Sequence, residues 1–334
     1  MRIGVRADGG AAIGYGHLVR SNALGEVFLE RGHDVAFASA TPDAAREVCD
    51  GRVRVVPLEG EDDGDGFVRW LTDEAIDATI VDLYGIDTGY QGRIRDTSSR
   101  SILISDDDEE AVCADLVVNG NVYADRLNYR WVDSKPRFCL GTDFLLLREE
   151  VRTLVRQSGP KEGQPGRAIV TMGGSDVLGL TPSVMDAFAG LDIEVDVVVG
   201  PGFTNEAEIH RAANRLGARF HVYVTPEDLP GRMRAADLAV CAAGTTTYEL
   251  LALGTPAIVV PVVENQLPIA QRLKELGAVR SVSPGDLESN LPDELLELVA
   301  SKDSRERMRT TGQALVDGRG CERVYDAITE LDTA

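Results

Sequence analysis

The stretch RADGGAAIGYGHLVRS, residues 6–21, joins the first apolar run of the chain to a segment with helical spacing. It places four glycines in front of a single histidine, His17. Glycines in a strand-to-helix loop let the backbone approach a ligand closely, and the free N–H groups of a helix start suit an anion. The pattern is neither the dinucleotide fingerprint GxGxxG nor a P-loop, because neither a further glycine nor Gly-Lys-Ser/Thr follows His17. We therefore predict a strand, a ligand-binding loop and a helix.

Short apolar strands alternate with amphipathic helices along the rest of the chain. The predicted strands of the first half are RIGVRAD, DVAFAS, VRVVPL, ATIVDLYG, SILISDDD and, as its last strand, DLVVNGN. Those of the second half are AIVTMGG, EVDVVVG, RFHVYV, DLAVCAAG and PAIVVPVV. Strands of near-continuous Val, Ile and Ala between helices are typical of parallel sheets covered on both faces. The predicted fold class is therefore α/β.

The stretch SGPKEGQPGR, residues 158–167, is rich in Gly and Pro and lacks periodicity, which is typical of a linker. The chain is also longer than one typical core, at roughly 100–200 residues per domain. We predict an N-terminal Rossmann-like domain at 1–157 and a C-terminal one at 168–334, with parallel sheets facing a central cleft. The last helix is a candidate for packing back on the N-terminal domain. In such sheets ligands bind outside the carboxyl ends of the strands.

The chain is strongly acidic. Asp and Glu total 55 against 34 Lys and Arg, which gives a net charge of -21, and Lys occurs at few positions. Because the acids are spread over the whole chain, this composition suits concentrated salt, where screening removes the cost of self-repulsion. We hypothesise a halophilic archaeon as the source. The charge also disfavours nucleic acid and anionic membranes as partners.

Apolar runs in this sequence are shorter than the ~20 residues of a membrane span, and no signal segment is recognisable at the N-terminus. We therefore expect a cytoplasmic protein without a membrane anchor, as a monomer or weak homo-oligomer. The five cysteines are far apart and form no CxxC pair, so we expect free thiols in a reducing compartment, with neither disulfides nor a zinc site. We also expect no metal and no cofactor.

His17 is the candidate catalytic residue. A histidine at a helix entrance beside a ligand loop can act as a general base near neutral pH. The alternative is a histidine that only caps the loop. The glycines favour the catalytic interpretation, since a capping residue does not need them.

Two loops of the second half have the composition of a nucleotide site. The run Gly173-Gly174-Ser175 ends one strand, and the run Ala243-Gly244-Thr245-Thr246-Thr247 ends another and opens a helix. Free N–H groups and hydroxyls at a helix start suit a diphosphate. We expect Glu249 in the first turn of that helix, as an acceptor for the ribose hydroxyls. The alternative is a helix capped by Thr245, with an acid favoured by the helix dipole.

A third polar loop follows the strand PAIVVPVV. Glu264, Asn265 and Gln266 lie where this strand ends. Amide side chains at that place suit the hydroxyl groups of a sugar. The alternative is a simple helix cap at Asn265, and the residues leave both interpretations open.

The opening stretch resembles that of the UDP-2,4-diacetamido-2,4,6-trideoxy-β-L-altropyranose hydrolases of pseudaminic acid biosynthesis. That family has an R-A-D strand end, an I-G-x-G-H loop and an Arg three residues after the His. This chain has the corresponding residues Arg6, Ala7, Asp8, Ile13, Gly14, Gly16, His17 and Arg20. Further matches follow in order over nearly the full length, at Asp82, Tyr84, Gly85, Ile86, Asp106, Asp107, Asn119, Asn121, Arg148, Glu149 and the run MGGSD at 172–176.

The resemblance implies a GT-B fold, similar to that of the glycosyltransferase that adds N-acetylglucosamine to lipid-linked muramyl peptide. It implies that UDP binds mainly to the C-terminal domain and that His17 activates water. Water then displaces UDP from the anomeric carbon with inversion. UDP is a good leaving group, so this chemistry requires no strong general acid. Asp107 is a minor candidate for orienting the sugar or His17.

Taken together, the motifs and the resemblance predict a set of substrate-binding residues in each domain. In the N-terminal domain they are Arg6, Asp8, Gly14, Tyr15, Gly16, Arg20, Tyr84, Asp107 and Asn121. In the C-terminal domain they are Gly173, Gly174, Ser175, Ala243, Gly244, Thr245, Thr246, Thr247, Glu249, Glu264, Asn265 and Gln266. The expected partner is a UDP-sugar substrate.

The leading prediction is a nucleotide-sugar hydrolase that releases UDP and a free amino sugar for nonulosonic acid or surface glycan synthesis. The first alternative is a glycosyltransferase that passes the same sugar to an acceptor, an interpretation that the Thr-rich stretch AAGTTTYEL favours. The second alternative is a non-catalytic nucleotide-sugar binding protein, against which His17 argues.

Overall fold

The computed structural model describes residues 1–10, 13–49, 51–60, 63–97, 99–156 and 163–332. Residues 158–162 of the predicted linker lie outside the described residues, as do residues 11 and 12 of the opening stretch. The chain divides into two compact units. Unit 1 comprises Met1–Glu149 together with Gly318–Ala334, and unit 2 comprises Glu150–Asp317.

Unit 1 is built on a seven-stranded parallel sheet. Its strands are β1 (Arg2–Ala7), β2 (Asp34–Ser39), β3 (Arg54–Pro57), β4 (Ala78–Asp82), β5 (Arg100–Ile104), β6 (Leu116–Asn119) and β7 (Arg137–Leu140). Their order across the sheet is β3-β2-β1-β4-β5-β6-β7. The helices of this unit are α1 (Gly16–Glu30), α2 (Pro42–Val48), α3 (Gly64–Asp73), α4 (Thr88–Arg95) and α13 (Gly320–Thr329).

The expectation that DLVVNGN ends the first half was wrong, because β7 follows it and pairs with β6 from Leu116↔Arg137 to Asn119↔Leu140. Only four residues form β7, and only Cys139 among them is buried. So short a run cannot show a recognisable alternation of apolar and polar residues. Its strand conformation comes from the hydrogen-bonding edge that β6 offers.

Both faces of this sheet are covered, which explains the near-continuous apolar strands. On one face Ile3, Val5 and Ala7 pack with residues of α1 and α13 in a single buried cluster. On the other face Phe67 of α3 and Ile94 of α4 belong to a second cluster. A strand buried on both sides has no solvent face to alternate with, so polar residues are confined to its ends.

Helix α13 returns to unit 1 from the far end of the chain. It packs against α1. Just beyond the end of α1, Nε2 of His33 lies 3.0 Å from the hydroxyl of Tyr325 in α13. Its first residue, Gly320, lies directly against the backbone of Leu145: a Cβ at this position would be 2.0 Å from the Leu145 carbonyl oxygen. The close approach therefore requires glycine.

Unit 2 repeats the arrangement with six parallel strands. They are β8 (Arg167–Thr171), β9 (Glu194–Val199), β10 (Phe220–Val224), β11 (Leu238–Ala242), β12 (Ala257–Val260) and β13 (Arg280–Ser281), in the order β10-β9-β8-β11-β12-β13. The helices assigned here are α5 (Glu149–Val155), which begins at the unit boundary, α6 (Thr181–Asp186), α7 (Glu206–Leu216), α8 (Leu229–Ala235), α9 (Thr245–Leu253), α10 (Leu267–Glu275), α11 (Leu287–Ala300) and α12 (Lys302–Leu315).

The predicted α/β class with parallel sheets is confirmed. In each unit the strand order reverses between the first and fourth strands, β1 and β4 in unit 1 and β8 and β11 in unit 2. Connections on the two sides of such a point leave in opposite directions and open a crevice at the carboxyl edge. Each sheet therefore offers one natural binding crevice.

Two further expectations concern the chain as a whole. None of the five cysteines, all of which belong to the described residues, forms a disulfide, and only Cys49 among them is not buried. Of the helices that the described residues form, none combines the length and the apolar character that crossing a membrane would demand.

We expect Gly320→Ala to destabilise the protein by about 1–3 kcal/mol, because the added methyl group overpacks the contact between α13 and Leu145. Gly92→Ala is the matched control, since Gly92 also lies in a helix but a Cβ there meets nothing within 4 Å. Removing this helical glycine should stabilise by about 0.5–1 kcal/mol. Thermal unfolding in concentrated KCl measures both. Equal melting temperatures for Gly320→Ala and the wild type would contradict the close packing of α13.

Candidate active site

The loop after β1 places His17 at the crevice of unit 1. Gly10 and Gly14 exchange two backbone hydrogen bonds, of 3.0 and 2.7 Å, which close the loop between them. Gly14 has a φ of +84°, a conformation that residues with a Cβ rarely adopt. Helix α1 begins two residues later, at Gly16, with Tyr15 in the N-cap position. The tight loop thus sets His17 in the first turn of α1.

His17 is hydrogen-bonded to a buried carboxylate. Its Nδ1 lies 2.6 Å from Oδ1 of Asp82, the last residue of β4. Asp82 is fully buried and also accepts from Arg20 Nε at 2.7 Å, Arg20 Nη2 at 2.6 Å and Ser21 Oγ at 3.0 Å. All three partners lie on α1. The carboxylate therefore ties β4 to the first two turns of this helix.

Burial alone would raise the pKa of Asp82, but Arg20 and then His17 outweigh it and lower the pKa to about 2. Because the folded-state value lies below the unfolded one, Asp82 contributes stability that is complete above about pH 4 and lost as the pH falls through about 2. At neutral pH Asp82 is ionised and can only accept hydrogen bonds. Arg20 Nη2 also lies 3.2 Å from His17 Nδ1, but the Asp82 oxygen is much closer at 2.6 Å, so the hydrogen of a neutral His17 ring is on Nδ1.

Nε2 of His17 then carries the free lone pair of the ring. This atom is buried and has no hydrogen-bond partner among the described residues. The imidazole lines a pocket of about 240 Å³, and the ring of Tyr84 stands edge-on to it at 4.2 Å between centroids. A histidine with Nδ1 held by a carboxylate and Nε2 unengaged is the arrangement of a general base.

The pocket lies at the point where the strand order of unit 1 reverses. Its walls come from the segment after β1, through Asp8, Ile13 and His17. They also come from the segment after β4, residues 83–87, and from Tyr90 and Arg93 of α4. Tyr84, predicted to bind substrate, is 61% exposed and therefore accessible to a ligand.

Arg20, predicted to bind substrate, joins two carboxylates of the protein. Besides Asp82 it donates from Nη1 to both oxygens of Asp106, at 2.9 and 2.8 Å. Burial opposes its charge, but Asp106 and Asp82 outweigh burial and raise the pKa of Arg20. Asn121, also predicted to bind substrate, donates to Asp106 Oδ1 at 2.8 Å. These contacts give Arg20 a positioning function, and substrate binding by either residue stays a prediction.

Arg6 and Asp8 form a buried ion pair beneath the pocket. Arg6 is fully buried, with Nη1 2.7 Å from Asp8 Oδ1. The same oxygen accepts from Ser39 Oγ at 2.8 Å and from the Ala40 N–H at 2.7 Å. Asp8 lines the pocket, whereas Arg6 acts on it through Asp8.

The carboxylate that orients His17 is Asp82 and not Asp107. Asp107 is exposed, and its Oδ1 accepts from the backbone N–H of Glu109 at 3.1 Å. The signal for Asp82 was present in the sequence, since it is the one charged residue of the strand ATIVD and ends it. Its role was missed because it lies 65 positions from His17.

The glycine loop of unit 2 lies at the corresponding crevice, after β8. Gly174 accepts a hydrogen bond of 2.8 Å from the N–H of Gly202, so this loop is paired with the loop after β9. Helix α6 begins only at Thr181, where Asp176 accepts from the N–H groups of Leu180 and Thr181. The expectation of free helix N–H groups around Gly174 was therefore wrong: Gly173, Gly174 and Ser175 offer a loop and no helix start.

The Thr-rich loop after β11 does open a helix. Gly244, rather than Thr245, is the N-cap of α9, and the side chains of Thr245 and Thr246 are partly or fully exposed. Thr247 is buried, and its hydroxyl donates to the carbonyl of Ala242 at 3.0 Å. Because no side chain caps α9, the N–H groups of Thr245 and Thr246 are available to a ligand, whereas that of Thr247 donates to the Gly244 carbonyl at 3.0 Å. Ala243, also predicted, is fully buried.

Glu249 does not lie in the first turn of α9, contrary to expectation. The helix starts at Thr245, which places Glu249 one turn further along, and the residue is 8% exposed. The error arose because the start of the helix was assigned too late. A role toward ribose stays a prediction.

The third polar loop lies beside the second. Glu264, Asn265 and Gln266 form one turn of 3₁₀ helix before α10. Gln266, rather than Asn265, occupies the N-cap position of α10, and its Oε1 accepts from the Val262 N–H at 2.9 Å. A Cβ at Gly244 would be 3.7 Å from Gln266 Nε2. The structure therefore brings two of the three predicted loops of unit 2 together directly.

The described residues contain no group of three or more His, Cys, Asp or Glu side chains that could hold a metal ion. In unit 1 the structure brings His17 and Asp82 together at the pocket. In unit 2 it brings together a helix start and a polar loop.

Comparison with known sequences identifies relatives whose names refer to polysaccharides or to a UDP-linked sugar. Residues 168–320 match the glycosyltransferase family 28 C-terminal domain. The spore coat polysaccharide biosynthesis protein SpsG of Bacillus subtilis is 25% identical and covers 99% of this chain and 98% of its own. The UDP-2,4-diacetamido-2,4,6-trideoxy-beta-L-altropyranose hydrolase of Campylobacter jejuni is 23% identical, over 83% of this chain and 97% of its own.

Solved structures show the same fold. MurG of Acinetobacter baumannii superimposes with a TM-score of 0.69 at 15% identity, over 98% of this chain and 99% of that one. The calicheamicin glycosyltransferase CalG4 gives a TM-score of 0.66 at 15% identity, over 98% of both chains. The chain therefore has the GT-B fold, and this prediction is confirmed.

We expect Arg20→Met to lower the free energy of unfolding by about 3–5 kcal/mol at pH 7, because it leaves the buried Asp82 carboxylate without its main partner. The double variant Arg20→Met/Asp82→Asn should recover part of this loss, since no unpaired charge remains. Arg46→Met is the control, because its pair with Asp43 is exposed and should be worth less than about 1 kcal/mol. Denaturant titration in concentrated KCl measures all three. Similar losses for Arg20→Met and Arg46→Met would contradict the role of Arg20.

Proposed function

We propose that the protein is an enzyme that hydrolyses a UDP-linked amino sugar at its anomeric carbon, releasing UDP and the free sugar. One observation carries the proposal: His17 is hydrogen-bonded through Nδ1 to ionised Asp82, and its Nε2 is unengaged beside a pocket. The similarity to SpsG and to the Campylobacter hydrolase, over most of each chain, supports the substrate class. The free sugar would supply nonulosonic acid or surface glycan synthesis.

In the proposed reaction His17 is the base. Nε2 takes a proton from a water molecule, the water oxygen forms a bond to the anomeric carbon, and the bond from that carbon to the diphosphate oxygen breaks. UDP leaves with the electron pair of the broken bond. A single displacement of this kind inverts the configuration at the anomeric carbon. The proton ends on Nε2, and the negative charge of Asp82 stabilises the resulting imidazolium.

Arg20 supports this chemistry through Asp82. By donating to Asp82 from two nitrogens it keeps this carboxylate ionised, and Asp106 holds Arg20 itself in place. A protonated Asp82 would lose its charge and offer His17 a different hydrogen-bonding pattern. The network therefore keeps the hydrogen of the neutral ring on Nδ1 and the lone pair on Nε2.

Unit 2 would bind the nucleotide. The N–H groups and hydroxyls of Thr245 and Thr246 at the start of α9 suit the charge that develops on a departing diphosphate. The amides of Asn265 and Gln266 lie beside this helix start. The match of residues 168–320 to the glycosyltransferase C-terminal domain supports this division of labour.

A glycosyltransferase is the second candidate, and the same match favours it. The base of a transferase would take its proton from an acceptor hydroxyl instead of from water. His17 and Asp82 suit either nucleophile, so the acceptor and not the base separates the two reactions. A purely binding protein is disfavoured, because it has no use for a histidine held as a base.

The decisive measurement is UDP release from a panel of UDP-amino sugars in concentrated KCl without an acceptor. The wild type should release UDP and free sugar, and His17→Ala should release them about 10²- to 10⁴-fold more slowly, the usual contribution of a general base. Asp82→Asn should lose a comparable factor, because the amide stabilises the wrong tautomer of His17. His210→Ala is the control, since His210 lies on the exposed side of α7 and should leave the rate unchanged.

Circular dichroism in the far and near ultraviolet keeps these outcomes apart. Variants at His17 and Asp82 that keep the wild-type spectra are folded in both units, so a slow rate then reports on chemistry. Release that begins only when an acceptor is added would replace the hydrolase by the transferase. Release that survives in His17→Ala would refute the role of His17.

A further inference from the structure

Asp8, which lines the pocket of His17, has a side-chain oxygen without a hydrogen-bond partner among the described residues. The residue is 2% exposed and lines the pocket. Its Oδ1 is fully used, by Ser39, by the backbone of Ala40 and by the ion pair with Arg6. Its Oδ2 is buried and has no hydrogen-bond partner among the described residues. A buried carboxylate oxygen without a donor carries a large desolvation cost, so a ligand that supplies the donor is favoured.

The contacts of Oδ1 account for what Asp8 does within the protein. They hold the backbone after β2 and neutralise Arg6. Oδ2 takes part in neither contact. Burial opposes the charge of Asp8, yet the Arg6 pair and the two hydrogen bonds outweigh it and lower the pKa of Asp8. An ionised oxygen can only accept, so the missing partner must be an N–H or O–H group of a ligand.

The neighbouring walls narrow the choice of group. The pocket combines Asp8 with the apolar side chains of Ile13, Leu83 and Ile86. Of these, Ile13 is 43% exposed, so it offers apolar surface that a ligand can cover. A hydroxyl would satisfy the carboxylate but leave this surface in water. An acetamido group satisfies both, because its N–H donates while its methyl group covers the apolar side chains.

We propose that Asp8 is a specificity-determining residue, whose Oδ2 accepts a hydrogen bond from the N–H of an acetamido substituent on the sugar. Ile13, Leu83 and Ile86 contact the methyl group of the same substituent. The inference rests on the proposed function for the class of substrate and adds which substituent is selected and by which residue. A site in which a buried acceptor needs a donor from the ligand discriminates strongly against an analogue that leaves this acceptor unpaired.

The test compares UDP-N-acetylglucosamine with UDP-glucose, which differ only in an acetamido group and a hydroxyl. Binding is measured by calorimetry in concentrated KCl on the His17→Ala background, so that turnover does not interfere. Because the hydroxyl of UDP-glucose can also donate to Asp8, the preference measures the apolar contact, and we expect this background to bind UDP-N-acetylglucosamine about 3- to 10-fold more tightly. In Asp8→Asn the affinity for UDP-N-acetylglucosamine should fall about 10- to 100-fold, the range for a hydrogen bond to a charged group, because an amide N–H replaces the acceptor.

Two further variants keep the test independent of folding. Ser39→Ala removes a contact of Oδ1 but not Oδ2, so the preference should persist. Ile86→Ala leaves the hydrogen bonds of Asp8 intact but trims the apolar wall, so the preference should shrink about three- to tenfold. If Asp8→Asn fails to fold, Ile86→Ala still decides the matter.

Two results would overturn the inference. One is equal binding of the two UDP-sugars in the His17→Ala background, and the other is unchanged affinity for UDP-N-acetylglucosamine in Asp8→Asn together with no change of preference in Ile86→Ala. These binding constants do not depend on hydrolysis. A failure to release UDP without acceptor would therefore refute the proposed hydrolysis while leaving an observed preference, and the loss of affinity in Asp8→Asn, in place.

Discussion

The buried carboxylate of Asp82 is the constraint on which the candidate site depends. Removing such a group from water is costly unless its oxygens receive hydrogen bonds and an opposite charge. Here one imidazole, one guanidinium and one hydroxyl of α1 converge on it. The first two turns of α1 are therefore held against the end of β4. The histidine that we propose as the base is part of the same arrangement that makes the buried charge tolerable.

The position of that carboxylate follows from the sheet. Asp82 is the last residue of β4 and pairs in register with Ala7, the last residue of β1. Because the chain leaves β1 and β4 toward opposite sides, a crevice opens at their ends. His17 and Asp8 both come from the segment after β1, so the proposed base and the proposed selector of the substituent share one pocket. The proposed chemistry and the proposed specificity therefore both depend on the segment between the end of β1 and the first turn of α1.

Hydrolysis and transfer differ only in the nucleophile that attacks the anomeric carbon. In both reactions a base removes a proton from an oxygen nucleophile, and a diphosphate departs from the anomeric carbon. We propose that His17 serves that common requirement and that the helix start at Thr245 and Thr246 serves the leaving group. What differs is whether water or a hydroxyl of a second molecule reaches the anomeric carbon.

The sequence by itself determined the fold class, because strands buried on both faces must be apolar throughout and the helices between them must be amphipathic. It also identified the loop of His17, since its glycines and histidine are adjacent in the chain. Only the tertiary structure decided the rest. The strand β7 is too short to show a period, and α9 starts earlier than its composition indicated. Asp82 lies 65 positions from His17, and the contact between His33 and Tyr325 spans 292 positions. Such contacts arise from strand register and helix packing, which no local pattern of residues records.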